Sequence, residues 1–174
     1  IRLIVMISKL VKSNSVRYAY TLFNKFHSFF VDRLLSSFKF RALIQKSGDK
    51  SYCHFTVEIK YGNNITIGGN TRIGPGCTLG ALGCIDIGSN VVVSKEVLIE
   101  TAGLDFKSKT IPYSHKGKRI IIQNNVWIGA RAIILGGVTI GENSIIGAGV
   151  VISKDVLPNS IIVGQYPRLL KIKD

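Results

Sequence analysis

From Ile67 to Ile152 an aliphatic residue returns at every sixth position, with one slip and one interruption. The unbroken run is Ile122, Ile128, Ile134, Ile140, Ile146 and Ile152, and a second register sits two residues upstream at Ile120, Val126, Ala132, Val138, Ser144 and Val150. A helix repeats every 3.6 residues and an ordinary strand every two, so neither holds a strict six over so many units. Hexapeptide periodicity marks a parallel β-helix. Each unit is a short strand and a turn, three units close a triangular coil, and coils stack about 4.8 Å apart. Apolar residues fill the prism, while Gly and Asn take corners where the backbone turns and a positive φ is needed. No coil buries its own apolar face, so neighbours must cover it and both ends need caps.

An earlier block keeps the frame with Ile67, Ile73 and Leu79, then resumes as Ile87, Val93 and Ile99 after a two-residue slip around Gly83 and Cys84. Between Ile99 and Ile122 the frame breaks, so an excursion loop, assigned to 100–119 with about 17 residues outside the coil, must leave the stack there. A long loop tied at both ends to a rigid stack points to function.

With 174 residues, 46% hydrophobic and 19% charged, the chain can bury a sizeable core and is not a disordered polyelectrolyte. The formal net charge of +13 is concentrated at the start, where residues 1–46 hold nine Lys or Arg against the single acid Asp32. Within residues 16–46, Tyr18, Leu22, Phe26, Phe29, Phe30, Leu34, Phe38 and Ala42 recur at mostly helical steps, interleaved with Lys25, Arg33, Lys39 and Arg41. Such a helix either caps the β-helix or a neighbouring subunit, or meets an anionic membrane surface as a peripheral helix. Ser47 to Lys50 reads as a linker, dividing a basic N-terminal helical segment (1–50) from a β-helix domain with a C-terminal tail (51–174), its first clear coil near Phe55 or Tyr61.

No run reaches the roughly 18 apolar residues of a membrane span, and Ile1 to Ile7 lacks a following cleavage site. A cytoplasmic place is expected, at the inner membrane face if the helix docks there. Cys53, Cys77 and Cys84 are odd in number and lack paired metal spacing, so reduced thiols and no metal site are expected. The positive charge sits mainly on the helix and the loop with no nucleic-acid motif, which argues against a nucleic-acid partner.

The stretch Asn124 to Ala130 around Trp127, then Gly136 to Gly149, then Ser153-Lys154-Asp155, resembles the galactoside/maltose O-acetyltransferase branch of the hexapeptide-repeat acyltransferases. The likeness covers about residues 61–171 and is most specific from Ile120 to Lys171; the N-terminal helix lies outside it. It implies a left-handed handedness, which the period alone does not show, a homotrimer with active sites between subunits, and acetyl-CoA as donor. The acceptor it implies is a sugar hydroxyl or amino sugar, free, nucleotide-linked or lipid-linked, in surface polysaccharide or lipopolysaccharide assembly. By position it assigns Trp127, Ala130, Ala148, Ser153, Lys154, Arg168 and Lys171 to the CoA channel, where Lys154, Arg168, Lys171 and Lys173 suit the phosphates. The usual Gly-Asn-Pro-Ala-Arg ending has become Gly164-Gln165-Tyr166-Pro167-Arg168.

Acetyl transfer from a thioester needs alignment and a base, and a histidine of near-neutral pKa serves well. The resemblance puts that histidine at the start of the excursion loop, where this chain reads Thr101-Ala102-Gly103-Leu104-Asp105. Leu104 stands at the expected position and cannot take a proton. Of His27, His54 and His115, only His115 lies in the excursion loop, which makes it the candidate base. A catalytically weak or inactive trimer with a binding or scaffold role is the alternative. Carbonic anhydrases on the same β-helix need three histidines around zinc, a cluster this sequence lacks.

Overall fold

The computed structural model describes residues 14–105, 107, 111, 113–164 and 168–172. They fall into two compact units, residues 1–35 and 36–174. The second unit is a left-handed parallel β-helix with three sheets as its faces. The first face stacks Lys46–Ser47, Ile65–Ile67, Ile85–Ile87, Ile120–Ile122 and Thr139–Ile140. The second stacks Tyr52–Cys53, Arg72–Ile73, Val92–Val93, Trp127–Ile128, Ile145–Ile146 and Ser160–Val163, and Arg168–Ile172 closes it as an antiparallel strand. The third stacks Glu58–Lys60, Thr78–Gly80, Leu98–Glu100, Ile133–Leu135 and Val151–Ile152.

Every aliphatic residue of the six-residue frame points inward. Ile65, Ile73, Leu79, Ile85, Ile99, Ile120, Ile128, Ile134, Ile140 and Ile146 are wholly buried, and burying such a side chain stabilises by about 1.5–3 kcal/mol. Where a polar residue takes an inward place, the neighbouring coil satisfies it. The Thr71 hydroxyl donates to Gly88 O at 2.7 Å and accepts from Val91 N at 3.1 Å; Ser144 donates to Leu157 O and accepts from Ser160 N. Cys77 occupies its expected inward place, Cys53 is also buried, Cys84 is exposed, and all three are free thiols.

The slip in the sequence has a simple structural cause. Residues 20 apart stack in the early coils, as Thr66 on Asp86, residues 18 apart in the following ones, as Ile121 on Thr139, and residues 16 apart at the end, as Ile145 on Ile161. The two extra residues of the early coils lie in the corner between the third and first faces. Ile120 stacks on Ile85, 35 positions before it, so the excursion adds 15 residues to a coil of 20. The expected 17 assumed a six-residue corner.

The coils also begin earlier than the hydrophobic frame suggests. Lys46–Ser47 already pairs with Thr66–Ile67, and Tyr52–Cys53 with Arg72–Ile73. Ser47 to Lys50 is therefore the first corner rather than a linker. Only the third side of this coil keeps the aliphatic register, with Val57 and Ile59, while backbone hydrogen bonds and a helical cap hold the first two sides. Gly48 N donates to Ile67 O at 2.8 Å, and the Ser51 hydroxyl donates to Gly68 O.

The helix runs Asn14–Leu43, ending three residues before the expected 46. Its last turns belong to the β-helix unit and cap it. Phe40 is buried, as is Ile44 just beyond the helix; Ser36 donates to the Tyr52 hydroxyl; and the Lys39 ammonium donates to Phe55 O at 2.9 Å and Val57 O at 2.6 Å. Upstream, in the first unit, Tyr18, Tyr20, Phe23, Phe26 and Phe30 are exposed. Among the described residues no helix is long and apolar enough to cross a membrane.

The corner between the first and second faces carries an asparagine ladder. Asn70, Asn90, Asn125, Asn143 and Asn159 all have φ between 55° and 59°. Each Nδ2 donates to the Oδ1 of the next, at 2.9, 3.1, 3.0 and 3.0 Å. Asparagine tolerates the left-handed region better than other residues with a Cβ, and its amide adds a bond between coils.

Candidate active site

The excursion returns as an antiparallel hairpin, with Ala102–Leu104 pairing His115–Gly117. Its root is firmly built. The buried Thr101 hydroxyl donates to Gly80 O at 2.7 Å and accepts from Gly83 N at 2.9 Å, and a Glu100 carboxylate oxygen accepts from Ala102 N at 2.9 Å. Gly117 lies so close to Gly83 and Leu82 that a Cβ there would meet their backbone at 2.2–2.8 Å. After the hairpin, Arg119 pairs with Asp86, which also accepts from Thr66. Burial alone would raise the Asp86 pKa, but the Arg119 and Thr66 hydrogen bonds and the Arg119 charge outweigh it and hold the carboxyl below its usual value.

The register of this hairpin changes the meaning of Leu104, because its cross-strand partner is His115. Bonded pairs flank the three-residue ladder at both ends, Lys118 N to Thr101 O and Asp105 N to Ser114 O. Bonded pairs alternate with unbonded ones, so Leu104 and His115 form an unbonded pair, the kind with Cα atoms about 4.5 Å apart and side chains closest. Both side chains emerge from one face of the hairpin. The imidazole therefore starts from the strand next to the place where the family pattern puts its histidine. Both residues are exposed.

The opposite hairpin face carries Lys116 and Lys118. With Thr101, Ala102, Gly103, Leu104, Asp105, Lys107, Leu135 and Gly136 they line a cavity of about 560 Å³. At the level of sequence, Lys116 and Lys118 carry no role of their own. The signal that could have found them is their two-residue spacing, which puts both on one side of a strand.

The seven residues that the family resemblance assigns to a donor channel divide between two edges of the prism. Trp127 is half exposed on the second face, stacked between Val92 and Ile145. Ala130 and Ala148 share the corner between the second and third faces, where Gly149 N donates to Ala130 O at 2.9 Å. Arg168 and Lys171 lie on the antiparallel strand closing the second face, Lys171 beside Ile161. Ser153 and Lys154 lie elsewhere, on the corner between the third and first faces. They follow Ile152, which pairs with Ile134, while Leu135 pairs with Glu100, so this corner lies one coil beyond that of Gly136 and two coils from the root of the hairpin. One six-residue side, on the order of 20 Å of extended chain, separates the two edges.

The other two histidines are not part of this hairpin. His54 lies in the first coil, its Nδ1 2.8 Å from the Thr56 hydroxyl and its ring against Phe55, while the His27 side chain lies outside the described residues. Among the described residues no three His, Cys, Asp or Glu gather as metal ligands would.

Comparison with known proteins agrees with the fold. A family described as "Bacterial transferase hexapeptide (six repeats)" matches residues 119–154. A Schizosaccharomyces pombe protein named as a "Putative acetyltransferase" is 44% identical over 106 residues; the match covers 60% of this chain, which spans about half, 51%, of that relative's length. Among solved structures, a hexapeptide-repeat acetyltransferase of Vibrio cholerae in complex with acetyl-CoA is 30% identical with a TM-score of 0.72, covering 78% of this chain and 75% of that one. A galactoside acetyltransferase in complex with coenzyme A is 31% identical with a TM-score of 0.73, covering 78% and 68%. A maltose O-acetyltransferase of Clostridium difficile is 29% identical with a TM-score of 0.68, covering 85% of each chain.

Proposed function

The chain belongs to the hexapeptide-repeat acetyltransferases, and from that premise we propose that it moves the acetyl group of acetyl-CoA to a saccharide hydroxyl, with His115 as the base. The observation that carries this reading is the cross-strand pairing of His115 with Leu104. An exchange across one hairpin keeps an imidazole within a strand spacing of the expected place, about 4.8 Å. The imidazole removes the hydroxyl proton as the oxygen bonds to the thioester carbon. The C–S bond then breaks, and the imidazolium returns its proton to the departing CoA thiolate. Backbone N–H groups are the natural partners for the intermediate oxyanion. Assembly of surface polysaccharide or lipopolysaccharide is the setting we favour.

The division of donor residues between two edges supports a homotrimer. One chain cannot close a channel around both edges, whereas a neighbour could bring its Trp127, Ala130, Ala148, Arg168 and Lys171 edge against the hairpin, Ser153 and Lys154 of the first. Light scattering should then give the mass of three chains.

Release of free CoA thiol, measured against a panel of sugars, amino sugars and nucleotide-sugars, tests the activity. His115→Ala should lower kcat by roughly 10²–10⁴, the range for loss of a general base, while the Kd for CoA stays within about twofold. Background turnover with every acceptor, despite CoA binding, would favour the scaffold reading that Leu104 suggests. Full activity in His115→Ala would remove His115 from the mechanism.

A further inference from the structure

The hairpin face turned away from His115 builds a chemically distinct cavity. Alternation along the strand sets Lys116 and Lys118 on this face, opposite Gly103 and Thr101. Gly103 leaves its floor open, since the nearest atom to a Cβ built there is Lys116 O at 3.9 Å. The volume of about 560 Å³ falls within the roughly 300–1,000 Å³ of small-molecule sites. Three lysines, Lys107, Lys116 and Lys118, stand in its lining against one carboxylate, Asp105. Arg119 and Arg131 are held by Asp86 and Glu96, whereas no ion pair among the described residues engages the three lysines.

An ammonium group only donates hydrogen bonds, so three of them suit a group that only accepts. A neutral sugar presents hydroxyls that both donate and accept, and gains little from such a lining. A phosphate or carboxylate gains charge-assisted bonds. Leu104, which shares the face of His115, also lines the cavity, so the cavity is open toward the side where the acceptor hydroxyl would meet the imidazole. We propose that this cavity is an anion site for the acceptor, and that the acceptor is a saccharide bearing a phosphate or carboxylate. The proposal rests on the transfer reading for its substrate role, but its binding chemistry stands on the cavity alone. Lys154, on the corner one coil beyond the cavity's Gly136, belongs to the donor reading, so the phosphates of CoA are the competing source of the same charge.

Calorimetry on the full chain separates these sources. Glucose 6-phosphate and glucuronate should each bind at least 10-fold tighter than glucose. Raising NaCl from about 50 to 500 mM should weaken both, because exposed charges are screened. Lys116→Ala/Lys118→Ala should abolish the preference for the anions with the CoA Kd within about twofold, and Lys116→Arg/Lys118→Arg should restore it, which separates charge from misfolding. Anion binding without any acetyl transfer would uphold the cavity assignment and sink the transfer reading. Equal binding of the three sugars would overturn the proposal. So would a parallel loss of CoA affinity in the alanine variant, which would give the cavity to the donor's phosphates.

Discussion

Asn125 sits in mid-ladder and gives the sharpest test of how the corners hold the coils. Its φ is 59°, its Oδ1 accepts from Asn90 at 3.1 Å, and its Nδ2 donates to Asn143 at 3.0 Å. Asn125→Ala keeps a Cβ in the left-handed region without the polar side chain that makes asparagine tolerable there, at a cost of up to about 1–2 kcal/mol. It also removes two bonds on an exposed edge, where water replaces part of their value, leaving about 0.5 kcal/mol each at the low end of the usual range. The expected loss is up to about 2–3 kcal/mol, or up to roughly 5–10 °C in Tm for a domain of this size. Asn125→Gly loses the same bonds but no backbone strain, and its greater unfolded-state freedom returns only about 0.5–1 kcal/mol of that cost, so it should be the milder change. Asn125→Asp keeps the acceptor and loses the donor, and should be milder still. Urea midpoints at one fixed protein concentration measure the series, since an oligomer's apparent stability depends on concentration. Alanine and glycine variants of equal stability would refute the backbone share, and an alanine variant within 0.5 kcal/mol of the parent would refute the ladder altogether.

Three further outcomes are expected. The double exchange Leu104→His/His115→Leu should retain acetyl transfer within about 100-fold of the parent, since a displacement of an ångström or more costs on the order of 10²; activity no better than His115→Leu alone would show that the two positions are not equivalent. Gly117→Ala should push the His115 strand off the corner at Gly83, lowering turnover with little change in CoA Kd, and an unchanged kcat would show that the hairpin's seat is irrelevant to catalysis. Burial, together with the neighbouring Cys77 and against the pull of Lys39, pushes Cys53 from 9.0 up to about 12. Because the folded value is the higher, the stability from this thiol is whole below about pH 9 and lost as pH rises toward 12, at no more than about 1.4 kcal/mol per pH unit. Urea midpoints at pH 8 and 10.5 should therefore converge for Cys53→Ala relative to the parent, and an identical pH dependence in both would refute the assignment.

How much of this was legible in the sequence follows from which residues carry a repeating constraint. The prism interior repeats, so Ile67 through Ile152 announced the coils and their faces, and Asn at the corners matched the need for positive φ. The first two sides of the first coil do not repeat that constraint: Lys46, Ser47, Tyr52 and Cys53 are held by backbone pairing and by the last turns of the helix, so the hydrophobic frame placed its start too late. The helix cap was one of two readings because aromatic residues with lysines satisfy either; the bonds from Lys39 to Phe55 O and Val57 O decide it for the final turns.

The site shows the same division more sharply. That position 104, where the family resemblance leads one to expect a histidine, holds leucine is visible in the sequence, since a motif position either holds an imidazole or does not. Its meaning depends on register, a relation between residues eleven apart across a hairpin whose strands are three residues long. Strands so short have no alternation pattern long enough to fix a pairing, and a one-residue slip would send His115 to the opposite face. What fixes the register lies outside the strands, in the bond from Lys118 N to Thr101 O, the Thr101 bonds to Gly80 and Gly83, and the contact of Gly117 with Gly83. The residues that decide whether His115 can replace the missing base are therefore glycines and a threonine at the root of the hairpin, none of which takes part in the chemistry itself.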